Sequence, residues 1–185
     1  METWVVLLRG INVGGKNVIP MASLRSEFAA MGFRDPQTYI QTGNVLVGSA
    51  RKRGPSAIAR IERHLSEAFG YGARVVVRDA EQMARIVEAM PSAWDPEDRS
   101  VRHNVIFLTD HASPEDLVGG LVVDPAIESV ATGPHAVYWS APMSTLTRTK
   151  MIKLSAHPLY PEVTIRNARV TLKLFALLQR RDAQR

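Results

Sequence analysis

The chain has 185 residues, 45% of them hydrophobic, with 23 Lys and Arg against 18 Asp and Glu, a formal net charge of +5 and no cysteine. That composition supports a buried core and excludes wholesale disorder, disulfides and thiolate metal sites. The first apolar run, Trp4–Leu8, is closed by Arg9 and is too short for a signal sequence or a membrane span, so the expectation is a cytoplasmic protein with no membrane partner.

Trp4–Leu8 reads as a buried strand. Residues 9–19 form a loop with three glycines and two cations, and Pro20 then opens a helix in which Leu24, Phe28 and Met31 recur at helical spacing, with Gly32 as its stop. Residues 38–42 and 45–47 read as two strands joined by a tight turn at Gly43-Asn44. Pro55–Phe69 is amphipathic, with Ile58, Ile61, Leu65 and Phe69 on one face and Gly70 at its end. Residues 73–78 read as a closing strand, giving the order β-α-β-β-α-β.

A short helix at residues 79–90 and a linker at 91–96 follow. The order then restarts with a strand at 104–108, a helix capped by Ser113-Pro114, strands at 127–131 and 136–140 around Thr132-Gly133-Pro134, a helix at 145–156, a strand at 163–166 and a terminal helix at 168–179. Two ferredoxin-like units in an α+β chain fit this repetition of order. A single doubly wound sheet is the rival, and the hairpin in each half disfavours it, because hairpins make antiparallel pairs. The expected division is 1–80 for the first subdomain, 81–101 for a helix and linker, and 102–185 for the second subdomain with the terminal helix.

In a ferredoxin-like unit the first two strands run parallel with another between them. The loop after the first strand and the hairpin after the second therefore emerge at one sheet edge. Arg9, Gly10, Asn12, Gly14, Gly15, Lys16, Asn17, Gln41 and Asn44 are expected to gather there. Cations, amide side chains and glycine backbone amides together suit an anion. The alternative is structural: the glycines only allow close packing of the loop, and nothing binds.

Residues 10–17 come within one residue of the phosphate-loop pattern G-x-x-x-x-G-K-[ST], but Asn17 lacks the magnesium-binding hydroxyl. Ile19, preceding a proline, is pushed away from helical angles, which delays the helix to about Pro20 and leaves Lys16 in mid-loop. A degenerate phosphate-loop phosphotransferase is therefore the least favoured reading.

The charge is uneven: residues 1–80 sum to +5, 81–143 to −7 and 144–185 to +7. Arg166, Asn167 and Lys173 are secondary candidates for holding phosphates. A nucleic-acid module using both basic ends is the alternative to a small-ligand protein, although no aromatic recognition signature accompanies it. The five histidines show no metal-binding spacing, no nucleophile elbow is present, and Asp95, Glu97 and Asp98 read as a solvated acidic loop. No catalytic residue, metal, cofactor or oligomeric state follows from the sequence.

Residues 7–17 (LLRGINVGGKN) and 38–45 (TYIQTGNV) resemble a bacterial family known as domain-of-unknown-function family 1697, and the similarity extends along nearly the whole chain. A C-terminal motif, in the family Thr-x-Arg-Asn-Trp-Asn-Thr-Val-x-Lys-Leu, appears at residues 164–174. Arg166, Asn167, Lys173 and Leu174 match it, while Ala168, Arg169, Val170 and Thr171 depart from it. The resemblance implies two ferredoxin-like subdomains and no established activity.

Overall fold

The computed structural model describes residues 1–184, the side chain of Ile152 apart. The chain forms two compact units, Met1–Met83 with Leu174–Arg185, and Ala84–Lys173.

In the first unit, β1 (Glu2–Leu8), α1 (Met21–Ala30), β2 (Arg34–Tyr39), β3 (Asn44–Ser49), α2 (Pro55–Phe69) and β4 (Val75–Asp79) follow one another. The sheet order is β2-β3-β1-β4, antiparallel throughout, which is the ferredoxin-like arrangement. Because side chains alternate across a strand, Trp4, Val6, Leu8, Val45, Val47, Val75 and Val77 share the face that packs on Leu24 and Phe28 of α1 and Ile61 and Leu65 of α2. Residues of the opposite face, Val5, Leu7, Leu46, Val76 and Arg78, are buried as well. From the last turns of α5 (Ala168–Ala183), Arg181 donates to the Arg34 carbonyl of β2 at 2.7 Å. Gly70 closes α2 in the left-handed conformation (φ 65°), as its position at the end of the apolar stripe implies.

The second unit takes α3 (Ala80–Glu88) from Ala84 onward, then β5 (Val101–Leu108), α4 (Pro114–Gly119), β6 (Ser129–Gly133), β7 (Ala136–Pro142) and β8 (Val163–Asn167). Its sheet order, β6-β7-β5-β8, repeats that of the first. Ser113 caps α4 by accepting from Asp116 N at 3.0 Å, with Pro114 in the first turn. One face of the sheet packs Ile106, Leu108, Val137 and Trp139 against Leu117 and Leu154. On the other, the Tyr138 hydroxyl donates to the Ile86 carbonyl of α3 at 2.6 Å.

Four elements differ from expectation. The helix anticipated at 145–156 is two 3-10 segments, Met143–Arg148 and Lys150–Ala156, broken at Thr149 (ψ 150°). Glu128 accounts for the break: its buried carboxylate accepts from Lys150 N at 2.8 Å and Met151 N at 3.4 Å, taking donors that a continuous helix would use internally. β2 begins four residues earlier than expected, at Arg34, and tolerates Pro36 because it is an edge strand. The hairpin of the second unit turns at Pro134-His135, with His135 at φ 60°, rather than at residues 132–134. The second half of α5 groups with the first unit, whereas the sequence suggested the second.

Candidate functional site

The sheet order brings the β1–α1 loop and the β2–β3 loop to one edge, and hydrogen bonds fasten them there. Leu8 N donates to the Gly43 carbonyl at 2.8 Å, and Asn12 reaches both loops with one side chain. Asn12 Nδ2 donates to the Ile19 carbonyl at 3.0 Å and the Gln41 carbonyl at 2.8 Å, while its Oδ1 accepts from Ile19 N at 2.7 Å. Ile11 and Ile19 anchor the two ends of the loop in the core.

Between these anchors the glycine loop is a miniature hairpin. Asn12 N donates to the Asn17 carbonyl and Lys16 N to the Val13 carbonyl, each at 3.1 Å, and Gly14 and Gly15 turn the tip with φ of 58° and 74°. Positive φ at both central residues is the turn that matches strand twist, and glycine adopts it without steric strain. Asn17 (φ 47°) closes the base by donating from Nδ2 to the Gly10 carbonyl at 2.9 Å. Helix α1 begins at Met21 behind Pro20, which has extended ψ, so no helix terminus backs Lys16. The phosphate-loop arrangement is therefore absent from this edge.

The expected site residues consequently divide by role. Asn12 and Asn17 are engaged within the loops. Asn44 is fully buried as the first residue of β3, donating to the Tyr39 carbonyl at 3.0 Å and Thr42 Oγ1 at 3.1 Å. The connection between β2 and β3 is residues 40–43, with Ile40 and Gly43 at positive φ, so the expected Gly43-Asn44 turn moves back and Asn44 turns inward. Arg9 is half-buried and extends the ladder through its N–H to the Arg74 carbonyl at 3.0 Å. Lys16 and Gln41 have exposed side chains that make no hydrogen bond or ion pair with any described residue. Gly14 and Gly15 likewise keep backbone N–H groups without an acceptor. Val13, Val18 and Ile40 give the same edge an exposed apolar margin.

The secondary candidates belong to the second unit. Arg166 is buried, donates to Thr164 Oγ1 at 2.9 Å and the Ile165 carbonyl at 2.8 Å, and has its pKa pushed down to about 10 by burial. Asn167 caps α5 by accepting from Val170 N at 2.8 Å, and Lys173 is exposed. Among the described residues no group of three or more His, Asp or Glu is placed to hold a metal, and no helix is long and apolar enough to cross a membrane.

The sequence suggested a linker at 91–96 and a solvated acidic loop at Asp95, Glu97 and Asp98, and gave His103 no role. There the His103 ring stacks on Trp94 with centroids 4.7 Å apart, and its buried Nδ1 has no partner among the described residues. A tryptophan within an otherwise polar linker was the available signal.

The chain belongs to the family described as "Protein of unknown function (DUF1697)", whose match covers residues 1–138. It is similar over 96% of its length to the conserved bacterial protein SP0830 from Streptococcus pneumoniae, with 25% identity, 98% of that chain covered and a TM-score of 0.83. No curated protein matches it. Both likenesses agree with the mixed α/β fold, and the family match includes the entire two-loop edge but ends before β8 and α5.

Proposed function

We propose that this DUF1697 protein binds a small anionic or phosphorylated ligand at the edge formed by residues 9–17 and 40–43. Lys16 supplies a mobile positive charge, and the Gln41 amide with the Gly14 and Gly15 N–H groups supplies hydrogen bonds. Asn12 supports this reading most: it fixes the two loops together and leaves these polar groups exposed and unengaged. A loop held in shape before binding loses less entropy when the ligand arrives. Asn12, Asn17 and Asn44 serve as framework, Arg9 adds charge at the base, and a cytoplasmic setting is part of the reading. The shared strand order also leads us to read the two units as a duplication.

A thermal-shift screen against nucleotides and sugar phosphates tests it. A ligand at one hundred times its dissociation constant should stabilise the fold by about 2.7 kcal/mol. Lys16→Ala with Gln41→Ala should weaken that ligand at least tenfold, about 1.4 kcal/mol. Unchanged affinity in that double variant would remove the assignment. Retention on DNA or RNA that falls steeply with salt would replace it with nucleic-acid binding.

A further inference from the structure

The second unit contains a cleft of about 280 Å³ whose walls come from the Asp98–His103 stretch, from Met143 and from Asn167–Arg169 at the start of α5. Ligand pockets span roughly 300–1,000 Å³, so this one is sized for a small metabolite rather than a polymer. It is distinct from the two-loop edge and owes nothing to the reading made there.

Three guanidinium groups line it, and their engagements within the chain are weak. Arg99 has no partner among the described residues. Arg102 Nη2 has only the Met143 sulfur, a poor acceptor, at 3.8 Å. Arg169 Nη1 lies 4.0 Å from Glu97 Oε2, at the outer limit of an ion pair, and the Glu97 side chain is 80% exposed. One acid shares the wall, and one of its oxygens is engaged by Ser100. Asp98 Oδ1 accepts from Ser100 N and Ser100 Oγ, both at 2.7 Å, and those bonds hold its carboxyl below the usual range. The first turn of α5 carries no acidic side chain that would offset the positive end of its dipole.

The remaining lining is of another kind. Pro96, Val101, Met143 and Ala168 are apolar, which suits an organic body rather than a bare inorganic ion. His103 stands at the cleft with its ring on Trp94, and burial pushes its pKa down against the opposing pull of Asp98 and Asp95. The positive charge at neutral pH therefore comes from the arginines. A phosphate monoester offers three oxygens and close to two negative charges near neutral pH, matching several guanidinium donors better than a two-oxygen carboxylate.

We propose that this cleft binds a small phosphate monoester, its phosphoryl group held by Arg99, Arg102 and Arg169 beside the start of α5 and its organic part against Pro96, Val101 and Met143.

The test uses the full chain with isotope-labelled histidine, titrated with ribose 5-phosphate, inorganic phosphate, ribose and acetate while the imidazole NMR signals of the five histidines are followed. Ribose 5-phosphate should shift His103 saturably and at lower concentration than inorganic phosphate, and ribose should not shift it. Arg99→Gln with Arg102→Gln should weaken the titration at least tenfold. Arg169→Gln alone should weaken it less, and Lys52→Ala, at an exposed position of the first unit, should leave it unchanged. All three arginines are exposed, so the variants should keep the parent circular dichroism. The proposal is overturned if neither phosphate saturates His103, if acetate binds as tightly as ribose 5-phosphate, or if the double arginine variant titrates like the parent.

Discussion

Replacing Asn12 separates two contributions that one residue makes to the loop edge. Its side chain forms three hydrogen bonds, with the Ile19 N–H, the Ile19 carbonyl and the Gln41 carbonyl, and its backbone sits at φ 53°. A net hydrogen bond contributes about 1 kcal/mol, and the bond to Gln41 is solvent-exposed, so loss of the side chain should cost roughly 2–3 kcal/mol. Alanine adds about 1 kcal/mol more for holding a Cβ in the left-handed region, whereas glycine adopts that region freely. Asn12→Ala should therefore fall roughly 3–4 kcal/mol below the parent and Asn12→Gly about 1 kcal/mol less far. Labelling with 5-fluorotryptophan resolves the three tryptophans by ¹⁹F NMR, and Trp4 alone reports on the first unit during urea unfolding. If both variants unfold within about 0.5 kcal/mol of the parent, the stitch contributes nothing. If glycine proves no better than alanine, the backbone part of the reasoning fails.

Two further substitutions test the packing and electrostatics behind the fold. A Cβ on Gly43, itself at φ 74°, would meet Leu8 Cβ at 2.8 Å and Ile11 Cδ1 at 2.9 Å, whereas at Gly14 (φ 58°) it would meet nothing within 4 Å. Gly43→Ala should thus cost roughly 2–5 kcal/mol in the Trp4 unfolding assay against about 1–2 for Gly14→Ala, and equal costs would refute the overpacking argument. Glu128 is 5% exposed, and burial pushes its pKa up, yet hydrogen bonds from Trp139 Nε1 and the N–H groups of Lys150, Asp124 and Met151 outweigh this and hold it below the ordinary value. A depressed carboxylate contributes stability that is present above its unfolded pKa and lost as pH falls through the folded one. Glu128→Gln should lose roughly 2–4 kcal/mol at neutral pH and flatten the acid limb of the stability profile of the second unit, read at Trp139; an unchanged acid limb would refute it.

Local signals carried much of the fold. The Trp4–Leu8 run, the apolar stripe of α2, its Gly70 stop and the Ser113-Pro114 cap are each written in neighbouring residues, and the strand order followed from them. What failed depends on partners distant in sequence. The helix expected at 145–156 yields to Glu128, more than twenty residues upstream, because a buried carboxylate must be satisfied whatever the local propensity. Arg78 and Arg166 look like surface cations in the sequence and are both buried, a consequence of sheets covered on each face. In the site itself, residue type suggested amide side chains directed at a ligand. Positive φ and bonds spanning 29 positions turn Asn12 into framework instead, a role that spacing alone does not reveal.

The two units also supply an internal control for the candidate edge. Leu108 N donates to the His135 carbonyl at 3.4 Å and Thr109 N to the Glu162 carbonyl at 2.9 Å, the counterparts of Leu8 N to Gly43 and Arg9 N to Arg74. The second unit therefore brings its own first loop and hairpin to an equivalent edge. There the loop is residues 109–113, it has no miniature hairpin, and its hydroxyl at Thr109 bonds to the Glu162 carboxylate. Convergence is a property of the topology and by itself says nothing about binding. The elements the first unit adds to that edge are the longer loop, the Asn12 stitch, and Lys16 presented on a turn of two glycines. The binding proposed for this edge is therefore assigned to those additions. Shortening the first loop toward the length of the second should accordingly abolish any ligand-induced stabilisation there while the β1–β3 and β1–β4 pairings persist.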